Sequence, residues 1–146
     1  MRLARVGIET VMGYLANGFS AWEASGLPIA RLTQWEVAKL RDSLRASHPP
    51  RILDVRSPGE FAGGHVEGAL SVPLPQVKRR LESLGLDKAA PLAIICGSGY
   101  RSSAAASLLE AAGYKQLINI VGGMKAWLGG QLPCAATSSE KATKNA

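Results

Sequence analysis

Cys96 is followed by Gly97, Ser98, Gly99 and Tyr100, and then by Arg101 and Ser102. A sulfur nucleophile must ionise near neutral pH, be reachable, and have donors around its charge. This stretch can meet all three needs. The glycines let the backbone curl so that successive N–H groups point inward and form an anion-binding nest. Arg101 adds a fixed charge in a planar fork suited to oxyanions. Ser98, Ser102 and Ser103 add hydroxyl donors. Read on its own, Cys96 is either a small buried hydrophobe or a thiolate nucleophile.

The elements around it decide what it faces. Pro91-Leu92-Ala93-Ile94-Ile95 is a short apolar run that predicts a buried strand, and Ser102 to Ala112 predicts a helix with Gly113 at its C′ position. The thiol therefore sits at the carboxyl end of a strand and near the amino end of a helix. Open α/β sheets form ligand crevices at that place, and the helix dipole favours negative charge there.

The remaining chain alternates in the same way. Arg51 to Val55, Ala69 to Val72 and Leu117 to Val121 read as strands, with a further short strand at Leu32. Thr33 reads as the N-cap of a helix from Gln34 to about Ala46, with Glu36 at capping-box spacing. Ser57-Pro58-Gly59-Glu60-Phe61 opens a helical turn with Pro at a favoured first position. Gln76 to Leu84 is amphipathic, with Val77, Leu81 and Leu84 inward and Lys78, Arg79, Arg80 and Glu82 outward. Gly123 to Leu128 is the last helix. Alternating strands and helices predict a parallel α/β sheet.

The totals set limits. The chain has 146 residues, 47% of them hydrophobic, enough for one domain with a core. No apolar run reaches the length of a membrane span, and Met1-Arg2-Leu3-Ala4-Arg5 lacks the pattern of a signal peptide, so a cytoplasmic protein is expected. Cys96 and Cys134 do not make a disulfide framework. Cys134 is expected to be a free surface thiol. The net charge is +6, but the basic residues are scattered and no aromatic residues interleave with them. Nucleic-acid binding is therefore not expected, while a positive field would draw in small anionic substrates.

One pattern occurs twice. Gly18, Ala21, Trp22 and Leu27-Pro28 recur as Gly123, Ala126, Trp127 and Leu132-Pro133, each 105 positions later. Val11-Met12-Gly13-Tyr14 reads as a short strand ahead of the first copy. About thirty residues cannot bury a core alone. Residues 1–30 thus read as a strand–helix remnant of a preceding, related domain, residues 31–134 as a complete domain, and residues 135–146 as a disordered tail.

Three motifs together carry a family resemblance. Cys96-Gly97-Ser98-Gly99-Tyr100-Arg101-Ser102 resembles the active-site loop of rhodanese-like sulfurtransferases. Asp54-Val55-Arg56-Ser57-Pro58-Gly59-Glu60-Phe61, with Gly64-His65-Val66-Glu67-Gly68-Ala69 behind it, resembles a second family motif. Gly122-Gly123-Met124-Lys125-Ala126-Trp127 resembles a third. They stand in the family's order. The resemblance implies a five-stranded parallel sheet flanked by helices. It implies that Cys96 takes a sulfane sulfur from a small anionic donor such as thiosulfate, and passes it to cyanide or to a thiol acceptor such as glutathione or thioredoxin. It also implies that Asp54 braces the active-site loop, that Arg56 and Glu60 hold the strand-to-helix turn, and that Arg101 serves the substrate or the loop. Arg56 is also expected to add positive potential near the mouth. Gly97, Ser98, Gly99, Tyr100 and Ser102 would line the sulfur site. No cofactor or metal is expected.

The first copy of the repeat extends the resemblance to metallo-β-lactamase-fold persulfide dioxygenase fusions, in which a degenerate rhodanese module precedes an active one. His48 and His65 are too few for that metal site, so no dioxygenase chemistry is expected of this chain. Two other functions differ in class. A sulfur carrier or interaction module would load Cys96 without turnover. A phosphatase or arsenate reductase of related fold has five residues between cysteine and arginine, against the four here, and the shorter loop makes a cradle suited to one sulfur.

Overall fold

The computed structural model describes residue 10 and residues 12–80 and 82–136. They divide into two compact units, one ending at Arg31 and one beginning at Leu32. The first unit contains helix α1 (Gly18–Ala24), which has no buried residue. Residues 12–14 form no strand, contrary to the reading of the sequence, and Val11 lies outside the described residues. A strand needs a partner ladder, and Gly13 adds backbone freedom without a side chain to pack.

The second unit runs β1 (Thr33–Glu36), α2 (Val37–Ser43), β2 (Arg51–Asp54), α3 (Pro58–Ala62), β3 (Leu70–Ser71), α4 (Leu74–Arg80), a 3-10 turn (Glu82–Leu84), β4 (Pro91–Ile95), α5 (Tyr100–Ala111), β5 (Gln116–Val121) and α6 (Gly123–Gly129). The five strands form one sheet in the order β1-β5-β4-β2-β3, with every pairing parallel. The predicted fold class, a five-stranded parallel sheet flanked by helices, is the one observed.

The central strand is buried on both faces, as its unbroken apolar run implies. Leu92, Ile94 and Cys96 join the cluster formed with Val77 of α4 and Ala105, Ala106 and Leu109 of α5. Ala93 and Ile95 join the opposite cluster with Leu40 of α2 and Met124 and Trp127 of α6. In α5 the buried residues are Ser102, Ala105, Ala106 and Leu109, the i, i+3, i+4, i+7 stripe of a helix lying on a sheet. Its end is a Schellman motif: Tyr114 N–H donates to Leu109 O and Gly113 N–H to Glu110 O, with Gly113 at φ 94°.

Two further expectations change. Thr33–Glu36 is a strand rather than the start of a helix, paired with Ile118–Val121. The ladder offered by β5 outweighs the local capping pattern, and the helix begins one residue after Glu36, which keeps an extended backbone (ψ 155°) as its N-cap. Ala135 is not part of a loose tail: it exchanges both backbone hydrogen bonds with His65, each 2.9 Å. Leu81 and residues 137–146 lie outside the described residues.

Candidate active site

After β2 the chain turns to β3 on one side, and after β4 it turns through α5 to β5 on the other. The connections diverge at the carboxyl ends of β2 and β4, which opens the crevice such a sheet offers to ligands. Cys96, the residue after β4, stands on one side of this divide. Ser57 and Glu60, which follow β2, stand on the other.

Cys96 is buried. Its Sγ accepts a hydrogen bond from Gly99 N–H at 3.1 Å and lies 3.4 Å from Ser102 Oγ. Burial pushes the thiol pKa up. The Ser102 hydroxyl and the N–H groups of Ser102, Ser98 and Gly99 push it down and outweigh burial, so the thiol is more acidic than an ordinary cysteine.

The loop keeps this shape because of what lies behind it. Met124 N–H donates to Cys96 O at 2.7 Å and Lys125 N–H to Gly97 O at 2.9 Å. With those carbonyls drawn toward α6, the N–H groups further along the loop remain available to the sulfur. Gly123, at φ 53°, permits this approach, since a Cβ there would overlap the Cys96 carbonyl oxygen and crowd Gly97 C and Ser98 N at 2.8 Å. Gly99 is the N-cap of α5 at φ 100°, a backbone conformation that favours glycine.

Ser102 reaches a residue that the motifs did not single out. Its hydroxyl donates to Asn119 Oδ1 at 2.6 Å, and Asn119 is 5% exposed in the middle of β5. The visible signal was one amide inside the apolar run Leu117-Ile118-Asn119-Ile120-Val121, since a buried polar group needs a partner. One hydroxyl proton cannot serve both Asn119 and the sulfur. Rotating the amide so that Nδ2 donates to Ser102 Oγ frees that proton for a thiolate.

Arg101 lies at the rim, 39% exposed, in a two-point pair with Glu60: Nη1 to Oε2 at 2.8 Å and Nη2 to Oε1 at 2.7 Å. Glu60 closes a capping box on α3. Its Oε2 accepts from the Ser57 N–H at 3.0 Å, and its own N–H donates to Ser57 Oγ at 3.3 Å. The Arg101 hydrogen bond is the largest influence holding the Glu60 carboxyl well below the usual carboxylate range; the Ser57 donors add to it against the opposing effect of burial. The pair ties the two sides of the crevice together. Tyr100 is 88% exposed beside it.

Asp54 and Arg56 form a buried pair with three side-chain hydrogen bonds of 2.7 to 3.0 Å, and Arg56 Nη2 also donates to Gly64 O at 2.7 Å. This corrects two expectations. The hydrogen bonds of Asp54 go to Arg56 and hold the turn after β2 instead of the cysteine loop. The charge of Arg56, 5% exposed and matched by Asp54, does not serve the mouth. His65 stacks on Phe61 with ring centroids 3.7 Å apart, and its Nδ1 is 2.9 Å from Phe61 O. Cys134 is exposed and unpaired with Cys96.

The family model for the rhodanese-like domain matches residues 36–129. The chain belongs to the rhodanese-like domain family. It is 40% identical over 123 residues to the putative sulfur carrier protein YrkF of Bacillus subtilis, covering 83% of this chain and 63% of that one. It is 36% identical over 73 residues to the thiosulfate sulfurtransferase PspE of Escherichia coli, covering 50% of this chain and 69% of that one. A solved rhodanese-like domain protein from Staphylococcus aureus superposes with a TM-score of 0.66 at 31% identity, covering 73% of this chain and all of that one. The chain spans a little under two thirds of the length of two of its Bacillus subtilis relatives, YrkF and YqhL. Among the described residues, no helix is long and apolar enough to cross a membrane.

Proposed function

We propose that the protein is a sulfurtransferase in which Cys96 carries a sulfane sulfur as a persulfide. The observation that supports this most directly is the convergence of Gly99 N–H, the Ser102 hydroxyl and neighbouring N–H groups on Cys96 Sγ, with the acidified thiol that results. The thiolate attacks the outer sulfur of thiosulfate. The S–S bond breaks with its electron pair leaving on sulfite, and the sulfane sulfur stays on Cys96. A thiolate acceptor, such as that of glutathione or thioredoxin, or cyanide then attacks the terminal sulfur and releases Cys96 as a thiolate. The two half-reactions make a double displacement. No step needs a cofactor. The likeness of the sequence to persulfide dioxygenase fusions supports a low-molecular-weight persulfide as an alternative donor.

A second reading, a sulfur carrier loaded and unloaded by partner proteins, is favoured by the Arg101–Glu60 pair. A guanidinium already matched by a carboxylate attracts a free dianion less than an unpaired one. YrkF, a relative at 40% identity, is named a putative sulfur carrier.

Intact mass after incubation with thiosulfate, with thiocyanate production measured in parallel, tests both readings. The expected result is one added sulfur on the native chain, none on Cys96→Ser, and multiple turnovers of thiocyanate. Loading without turnover would select the carrier. Phosphate-ester hydrolysis or arsenate reduction without sulfur transfer would overturn both.

A further inference from the structure

The first unit repeats, in three dimensions, the motif that closes the sheet of the second. The helices α1 and α6 begin 105 positions apart, at Gly18 and Gly123. Each is entered through two consecutive left-handed residues: Asn17 (φ 61°) and Gly18 (φ 59°), against Gly122 (φ 75°) and Gly123 (φ 53°). Each is left through a third, Gly26 (φ 69°) against Gln131 (φ 53°). The exit hydrogen bonds also correspond: Ser25 N–H to Ala21 O and Gly26 N–H to Glu23 O, against Gly130 N–H to Ala126 O and Gln131 N–H to Leu128 O. Trp22 Nε1 donates to Pro28 O at 3.0 Å, and Trp127 Nε1 to Pro133 O at 2.9 Å. Left-handed backbone is uncommon outside glycine, and helix propensity does not account for three such positions in register.

Burial is what differs. In the second unit Ile120, Met124 and Trp127 are at most 2% exposed, and Gly123 lies against the cysteine-loop backbone. Their counterparts are Leu15 (50% exposed), Phe19 (62%), Trp22 (39%) and Gly18, which has nothing within 4 Å of where its Cβ would stand. These four line one hollow of about 410 Å³. Thus the positions that join the buried core beside the cysteine loop in one copy form an open apolar face in the other.

We infer that residues 15–31 are a docking face for the carboxyl edge of a second rhodanese-type sheet. The chemistry of the occupant follows from what meets the same face on α6. It is a buried strand whose following turn presents backbone carbonyls to Gly18, flanked by aliphatic side chains that fill the hollow around Phe19 and Trp22. The occupant is not a second copy of residues 32–136, because that edge is already covered by α6 through the Met124 and Lys125 hydrogen bonds. It is a sheet of the same type without a closing helix of its own. This does not depend on sulfur transfer.

The test grafts the segment onto an edge of known shape. In the full chain, residues 120–136 are replaced by residues 15–31. The hybrid is expected to unfold cooperatively in urea and to protect the β4 amides from hydrogen exchange at least about tenfold over a chain ended at Asn119. Gly18→Val in the grafted copy should remove that protection. A hybrid that exchanges as freely as the shortened chain, or that tolerates Gly18→Val, would overturn the assignment. The unaltered chain is expected to be monomeric by light scattering. A dimer that dissociates on Trp22→Ala would make a second copy the occupant and would also overturn it.

Discussion

Thiol acidity at Cys96 depends on a few hydrogen bonds, so single substitutions should move it. Ser102→Ala removes a donor and is expected to raise the thiol pKa and to slow sulfur loading near neutral pH by about tenfold, the scale of a hydrogen bond to a charged group. The sign follows from the folded thiol lying below its ordinary pKa: the thiolate is populated above the folded value and lost as pH falls through it. The pH profile of alkylation should therefore shift upward in Ser102→Ala. Asn119→Leu should shift it downward, because the Ser102 proton then has no competing acceptor and is free for the sulfur. Thiolate absorbance against pH checks both. Cys96, Arg101 and Ser102 were legible in the sequence because their spacing is local. Asn119 was not read as part of the site, because nothing local marks which residue of a distant strand lies beside Ser102. The pairing of Asp54 with Arg56 was missed for another reason. A carboxylate and a guanidinium two residues apart can each face other partners, and only burial of both commits them to one another.

At the scale of elements, α3 and α6 hold the loop from opposite sides. Glu60→Gln breaks the tie between α3 and α5. Both partners are about 40% exposed, so the loss of stability should be about 1 kcal/mol or less. The folded pKa of Glu60 is depressed, so this contribution is complete above the ordinary carboxylate range and disappears only as pH falls through the lower folded value. The substitution should also free Arg101 and lower the KM for thiosulfate by up to about fivefold, equivalent to ~1 kcal/mol. An unchanged KM at low salt would show that Arg101 does not reach the donor. Gly123→Ala should be more damaging, about 3 kcal/mol by urea unfolding, since it combines a left-handed backbone with a clash against the cysteine loop. Most elements were legible because their apolar runs are unambiguous. The strand Thr33–Glu36 was not, because its sequence carries a helix-capping pattern and only its pairing with β5 decides otherwise.

For the whole molecule, the cysteine loop, the α3 turn and the closing motif that frames the loop belong to the unit beginning at Leu32. Removing residues 1–31 should leave sulfur loading of Cys96 within about twofold of the full chain, the scatter expected for changes outside a site. Intact mass and thiocyanate production check this. Collapse of the remaining fold would show that the first unit is integral to it. The repeat linking the two units was visible in the sequence as shared Gly, Ala-Trp and Leu-Pro positions. The matching left-handed angles and Trp–Pro hydrogen bonds were not, because residue identity does not encode them when Asn17 stands for Gly122 and Gln131 for Gly26.

The hydrogen bonds that α6 donates to the carbonyls of Cys96 and Gly97 make the first turn of that helix a tuning peg for the sulfur. Those carbonyls are tied to the first turn of α6, while the loop continues to the N–H groups that face the thiol. Slackening that first turn would let the loop relax and withdraw its donors while most of the sheet stayed paired. Loss of nucleophilicity would then precede loss of structure on gentle heating, and reactivity of Cys96 would register the tension of a helix that meets the loop only at its carbonyls.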